Sequence, residues 1–596
     1  MKKAFFAGVL LAGAVHAAGP PATPAPARTY LDLTFEASEC RGGWYFGGRG
    51  YTATVDATSP HAGRQSLHFE YTGANPWTEK SGVFGVATRI FPAEDLGTGG
   101  RKIRYSGYIR TEGVEHGAAG LWMRVDGPAG TLAFDNMEGR GVTGTAPWKQ
   151  YHIELTVPPE AKAVYFGALL SGDGKAWVDD LSFEVDGKPW AEPPLPPLET
   201  PAAPAVAWLK EKAVPFTTPE AGHGFADLQF LKKVVGDARV VSLGEATHGT
   251  REFFQMKHRL TEFLATEMGF TLFAIEANMP EAYRVNDYVL TGQGDPRELL
   301  RGMYFWTWDT QEVLDMILWM REFNRSGKGR IQFLGFDMQT PTVAIENARK
   351  LAAEADPALA PKLEEAYAPF ADWGTVPGVD PKKNEQRLAG AQKALEILES
   401  ARPRLTEKLG KERAEWAIQN ARVAVQEEES NTGKVSRDAS MAKNVDWILQ
   451  QAPPGAKIVL WAHNYHVSRR PDSMGGYLEQ THPKDMLVLG FAFNQGKYTA
   501  RGPSSLGTHE ADPAMGGSVE SYFHATGLPR FFLDLRGIPA TAPSSSWLNE
   551  SRPFRSIGAV ALKCGYDQRV LAKDYDGILY FDQTNASAVF PRPDRK

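Results

Sequence analysis

The chain has 596 residues, 42% hydrophobic and 23% charged, with a formal net charge of −6. That length exceeds what one hydrophobic core organises, so two or more domains are expected. The composition is that of an ordinary folded protein, and its mild acidity gives no reason to expect nucleic acid or an anionic membrane as partner.

At the N-terminus, Lys2 and Lys3 precede an apolar run, 4–14, that is too short to span a bilayer. Val15, His16 and Ala17 then offer a cleavage site. This pattern predicts a signal peptide over 1–17 rather than a membrane anchor, and a periplasmic or secreted mature protein. Cys40 and Cys564 are the only cysteines. They fall in segments read as different domains, which predicts unpaired thiols rather than a disulfide. Two cysteines are also too few for a Cys-based zinc site.

Pro-rich stretches at 18–27 and 189–204 read as semi-rigid spacers. Between them, 28–188 carries short alternating apolar runs punctuated by Gly, Asp, Asn and Pro. Helical periodicity is nearly absent. The pattern predicts an N-terminal all-β jelly-roll sandwich. Its closing segment, Ala176-Trp-Val-Asp-Asp-Leu-Ser-Phe, resembles the last strand of jelly-roll carbohydrate-binding modules. On that resemblance, Trp44, Tyr45, Phe46, Trp77 and Trp148 are candidates to stack on a glycan. The alternative is that they fill the core or brace loops. Asp179 and Asp180 are candidates to hold a structural calcium.

From 205 to 596 apolar runs alternate with helical patterns. Candidate strands are 240–243, 272–275, 331–335, 458–461, 486–490, 531–535 and 577–581. Phe253, Met256, Leu260, Phe263 and Leu264 share one helical face after the first of them. The alternation predicts a three-layer α/β/α fold on a largely parallel sheet. The Ala/Glu/Lys/Leu/Arg-rich stretch near 342–430 reads as a helical insertion.

Four of these strands end in polar groups. The first leads into Leu243-Gly-Glu-Ala-Thr-His-Gly, with Glu245 and His248. The second ends in Glu276, the third in Asp337, and the 458–461 strand runs on to His463 and His466. Parallel strands bring their carboxyl ends to one sheet edge, so these groups can meet there. A carboxylate beside an imidazole fixes its tautomer and makes it a competent general base. Lys257 on the following helix is a candidate cation for substrate or oxyanion, with Arg321 and Arg437 behind it. Each of these residues also has a plain reading as a cap or loop hydrogen-bonder.

At these residues the chain resembles the erythromycin esterase family, over roughly 206–586. The resemblance rests on Leu243-Gly-Glu-Ala-Thr-His-Gly, Phe273-Ala-Ile-Glu, Trp308-Asp-Thr-Gln-Glu-Val-Leu-Asp, Leu334-Gly-Phe-Asp-Met, Arg437-Asp-Ala-Ser-Met-Ala-Lys-Asn and Trp461-Ala-His-Asn-Tyr-His-Val. It implies a hydrolase that opens a macrolide lactone with a histidine activating water. His248 falls at the general base, Glu245 and Glu276 at the acidic groups around it, and His463 and His466 at the later pair. Lys257 stands where an Arg is frequent. No cofactor is implied, and the partner is a small-molecule ester or lactone. No Gly-x-Ser-x-Gly elbow lies near these strands, so a serine nucleophile is not favoured. Two rivals remain open. One is a metal-dependent hydrolase in which His463 and His466 join His248 and a carboxylate around zinc. The other is a non-catalytic protein that captures haem, a polyketide or a glycan.

Overall fold

The structure, a computed structural model, describes residues 31–36, 44–48, 50–71, 84–97, 100–127, 130–191, 200–371, 373, 381–502, 505–539, 541–562 and 565–591. The expected signal peptide and first spacer, Trp77, Cys40 and Cys564 lie outside these residues, as does 192–199 of the second spacer.

Ten strands between Tyr45 and Trp190 form one sheet in which every pairing is antiparallel. The strand Arg101–Gly127 organises it. Its first part pairs with Lys175–Val185 and Val142–Val157, and its last part with Ala163–Ser171. Register breaks between Ile109 and Ala119 separate the two parts, and such irregularities bend a strand. The sheet thereby closes over a core that includes Phe69, Tyr105, Leu121, Phe166 and Phe183. This is the antiparallel sandwich that alternation predicts.

The second sheet runs in the order Val214–Pro215, Arg530–Asp534, Gly577–Thr584, Met486–Arg501, Val240–Leu243, Ile458–Trp461, Leu272–Asn278, Gln332–Asp337. All seven expected strands are there. Alternate residues of each strand feed different cores: Val241, Phe273 and Val459 face one, and Val240, Leu272 and Ile458 the other. Burial on both faces explains why these strands read as continuous apolar runs.

The expectation of a largely parallel sheet needs correction, because this sheet is mixed. Five pairings are parallel, but Arg530–Asp534 runs antiparallel to both its neighbours, and Met486–Arg501 folds back on Leu506–Ala511 as a hairpin. An apolar run carries no sign of chain direction, and the connection before 530 holds only the short helix Val519–His524.

The helix Arg251–Met268 buries Phe253, Met256, Leu260, Phe263 and Leu264 as its periodicity requires. The expected insertion is helical throughout its described part. Thr342–Ala355, Ala360–Tyr367, Pro381–Ser400, Arg402–Leu409 and Lys411–Asn431 close round a core of their own, with Leu363, Leu388, Leu398, Leu405 and Ile418 buried.

Candidate active site

The parallel strands Val240–Leu243, Ile458–Trp461, Leu272–Asn278 and Gln332–Asp337 are successive neighbours, so their carboxyl ends share one edge. The turn after the first carries Glu245 and His248, and close packing shapes it. A Cβ on Gly249 would stand 1.9 Å from the Thr499 carbonyl oxygen, and one on Gly244 would stand 2.2 Å from Asn464 Oδ1. Only glycine fits either place. The Gly249 carbonyl accepts from the Thr499 and Ser587 amides, which pins the turn to the rest of the sheet.

Glu245 is fully buried and receives three donors. Its Oε1 accepts from His248 Nδ1 at 2.6 Å, while Oε2 accepts from Lys257 Nζ at 2.6 Å and Trp461 Nε1 at 2.8 Å. A carboxylate can only accept, so Nδ1 of His248 carries a proton, and Nε2 is the nitrogen that takes one when the ring starts neutral. Burial brings the Lys257 amine down to about 8, with the Glu245 carboxylate pulling the other way. Its Nζ also lies 4.5 Å from the centroid of the Trp461 ring. Lys257 has no exposed surface and its Nζ is bonded to Glu245, so the structure places it behind the carboxylate that holds His248, where a substrate-binding role was expected.

Glu276 anchors the second half of the cluster. Its Oε1 accepts from Arg437 Nη2 at 2.8 Å, and its Oε2 accepts from the His463 amide at 3.0 Å. Burial alone would raise this carboxyl, but the charges of His466, Arg437 and His248 hold it well below the usual range. Arg437 also donates from Nε and Nη2 to the two oxygens of Asp337, at 3.0 and 2.7 Å. Asp337 is fully buried with both oxygens engaged by Arg437, so it orients Arg437. Arg437 likewise spends Nε and Nη2 inside the cluster.

The two later histidines differ. His466 Nδ1 lies 2.8 Å from Asp438 Oδ1, and its Nε2 lies 3.4 Å from Glu276 Oε1. Burial opposes its charge, yet Glu276 and Asp438 outweigh burial and raise it above the ordinary histidine value. Its 3.3 Å approach to Arg437 Nη1 is then a contact between two donors. His463 caps the helix Asn464–Val467, and its Nδ1 accepts from the Tyr465 amide at 3.2 Å. That role leaves its proton on Nε2. Burial, with His248 and His466 adding to it, holds His463 well below the ordinary value, so the ring is neutral. Its Nε2 is buried and finds no hydrogen-bond partner among the described residues. The His248 and His463 ring centroids are 5.2 Å apart. An acceptor nitrogen and a neutral donor nitrogen therefore come from adjacent rings in one pocket.

Glu245, His248 and Lys257 thus form one bonded group, and Glu276, Arg437, Asp337, His463 and His466 a second, and the two meet where the His248 and His463 rings lie side by side. Arg321 is part of neither. Its Nη1 donates to the Leu290 carbonyl at 2.8 Å, near the end of the helix Met279–Thr291. Carbonyls at a helix C-terminus lack partners within the helix and draw such cations. Asp438, Trp308 and Trp461 belong to the site without being singled out by their residue type. Trp308 Nε1 donates to the Glu276 carbonyl at 2.9 Å, and the Trp308 ring meets His248 edge-on. All three sit inside the motifs quoted for the resemblance, which was the available signal.

The zinc alternative loses its geometry. Among the described residues the His and carboxylate atoms of this cluster do not bring three ligand atoms within 4.8 Å of one another; Glu115, His116 and Asp173 do. The calcium candidates Asp179 and Asp180 are engaged with neighbouring groups. Asp179 Oδ2 accepts from the His61 amide at 2.8 Å, its Oδ1 accepts from the Asp180 amide at 2.8 Å, and Asp180 faces the His61 ring. These contacts tie Asp179 and Asp180 to the segment that carries His61. Among the aromatic candidates, Trp44 is core, packed on Phe35 and Phe166, and Phe46 leans on that core. Tyr45 is exposed, and Trp148 is half-buried against His61.

Erythromycin esterase type II of Escherichia coli is 26% identical over 427 residues, 64% of this chain and 98% of its own length. A Bacillus cereus protein of known structure is 26% identical, with a TM-score of 0.59 over 66% of this chain and 100% of its own. The N-terminal sandwich has a neighbour in the xylan-binding domain of CBM 22, which is 18% identical with a TM-score of 0.21 and covers 27% of this chain. The profile of the erythromycin esterase family matches residues 265–584, more than half of the chain, and the protein is a member of that family.

Proposed function

We propose that the protein hydrolyses an ester or lactone by water that His248 activates. The carrying observation is the pair of adjacent imidazoles whose outward nitrogens are opposite in kind. His248 Nε2 takes a proton from water while Glu245 holds Nδ1–H and steadies the imidazolium that forms. Water attacks the carbonyl carbon, and the neutral His463 Nε2–H donates to the oxygen on which charge develops. The imidazolium of His248 then returns its proton to the leaving alkoxide. Glu276, Arg437, Asp337 and the charged His466 set the position of His463 through its backbone amide.

The test is a mass-spectrometric screen of esters and macrolide lactones with wild type beside His248→Ala. Turnover should fall by ~10²–10⁴-fold in the variant, the usual worth of a positioned base, with an unchanged melting temperature. Near-normal turnover by His248→Ala would sink the assignment. The same reading makes 28–188 and 205–596 separate domains and the protein an exported one, on the strength of its Pro-rich spacers and its basic-then-apolar N-terminus. Exposed Tyr45 and half-buried Trp148 remain the candidate glycan contacts, which sedimentation with insoluble polysaccharides would test.

A further inference from the structure

Arg569 is a buried cation that the mechanism above leaves unused. It lies on the strand Tyr566–Val570 and is 3% exposed. Its Nη2 donates to Asp567 Oδ2 at 2.9 Å. Among the described residues, neither its Nε nor its Nη1 finds a hydrogen-bond partner. Asp574 Oδ2 lies 3.8 Å from Nη1, beyond hydrogen-bond reach. Burial also raises the Asp574 carboxyl, and Arg569 pulls against that rise. Asp567 and Asp574 balance its charge as ion pairs, but Nε and Nη1 are dry donors without an acceptor, and leaving them so is costly. Two such donors on one guanidinium fit an acceptor from outside the chain, such as a carboxylate.

Its surroundings say where that anion would sit. The Arg569 guanidinium lies 5.5 Å from the centroid of the Tyr465 ring, and Arg470 lies 5.8 Å from the same ring. Tyr465 is the residue whose amide fixes the His463 tautomer. The Arg569 charge is felt at His463 itself, where it helps to keep the ring neutral. Arg470 is turned toward Asp472, at 3.5 Å, and Tyr465 Oη donates to the same carboxylate at 3.1 Å. Arg569 is therefore a buried cation with donors to spare, set against Tyr465, two residues along the chain from His463.

We propose that Arg569 is a substrate-recognition residue that binds a carboxylate carried by the ester itself, a few bonds from the bond being cut. This rests on the hydrolytic reading of the same site. It makes the natural substrate an acidic ester or lactone and not a neutral one. The free Nε and Nη1 would donate to that carboxylate as the carbonyl reaches His463.

Two probes test the proposal: 4-nitrophenyl acetate, which is neutral, and mono-4-nitrophenyl succinate, which carries a carboxylate. Wild type should favour the succinate ester in kcat/KM. In Arg569→Gln that preference should fall by roughly tenfold to a hundredfold, the range of a hydrogen bond to a charged group, mostly through KM. Arg569→Lys, which keeps the charge, should recover part of it. A preference ratio unchanged in both variants, with the two activities falling together, would mean that Arg569 only supports the fold. No preference in wild type would overturn the proposal outright. Calorimetric titration with free succinate separates this failure from failure of the hydrolytic reading. If neither ester turns over but succinate binds wild type and binds Arg569→Gln at least tenfold more weakly, recognition stands and hydrolysis does not. If succinate does not bind wild type, recognition falls whatever the turnover.

Discussion

At the scale of single residues, the character of each imidazole follows from what its Nδ1 touches. His248 Nδ1 meets a carboxylate and keeps its proton; His463 Nδ1 meets an amide N–H and cannot. His463→Ala should accordingly lower kcat by ~10²–10³, as loss of an oxyanion donor does, with a smaller change in KM under steady-state assay. An equal loss confined to KM would point to ground-state binding instead. His466 supplies a pH signature. Its folded-state value is raised above the unfolded value of about 6.5. Its stabilising contribution is therefore fully present below about pH 6.5 and is lost as pH climbs through the raised value. Urea unfolding of wild type and His466→Asn across that range should show the stability gap between them narrowing as pH rises; a widening gap would contradict a charged His466. His248 and Glu245 were legible because they sit together on one turn. Asp438 and Trp308 were not, because an Asp opening a helix and a Trp in an apolar stretch look the same whether or not a site lies beside them.

At the scale of elements, the site is held by the packing of one turn and one helix. Gly249 lets the turn lie against Met486–Arg501 at a distance no side chain tolerates. Gly249→Ala should destabilise the protein by about 1–3 kcal/mol or more through overpacking, seen as a lower urea midpoint and a parallel loss of activity. The helix Arg251–Met268 delivers Lys257 to Glu245 with both side chains wholly buried. Lys257→Met strands a buried carboxylate, so a loss of about 3–5 kcal/mol is expected. The Glu245→Gln/Lys257→Met double variant should recover most of that stability and none of the activity. If the single and double variants unfold alike, the two residues are not coupled. The helical face of Phe253, Met256, Leu260 and Phe263 was readable from spacing. That Lys257 points inward was not, since a lysine on a helix is normally solvated.

At the scale of the whole molecule, the core of the N-terminal sandwich is separate in sequence from the two cores that share the second sheet. The core of the N-terminal sandwich runs from Leu31 to Phe183, and the other large cores begin at Phe216 and Ala205. No residue is shared, so cooperative unfolding need not join them. Scanning calorimetry should resolve more than one transition, and His248→Ala should leave every one of them in place. A single transition with equal calorimetric and van't Hoff enthalpies would show the cores to be coupled. The mixed character of the second sheet belongs to this scale too. All seven strands were readable as apolar runs, but the reversed Arg530–Asp534 strand was not, because direction is set by the path of the connections.

The sequence alone determined which segments become strands and helices, through their apolar period, and which strand ends carry acid and base groups. It also marked the family through several separated motifs in order. Tertiary structure decided everything that depends on a contact between distant segments. It placed Lys257 and Asp337 behind the site, sent Arg321 to cap a helix, gave His463 and His466 opposite protonation, and left Arg569 with donors to spare. The physical reason is that a tautomer, an ion pair or a buried charge is a property of two groups at a distance of about 3 Å, and periodicity along one chain does not encode that distance.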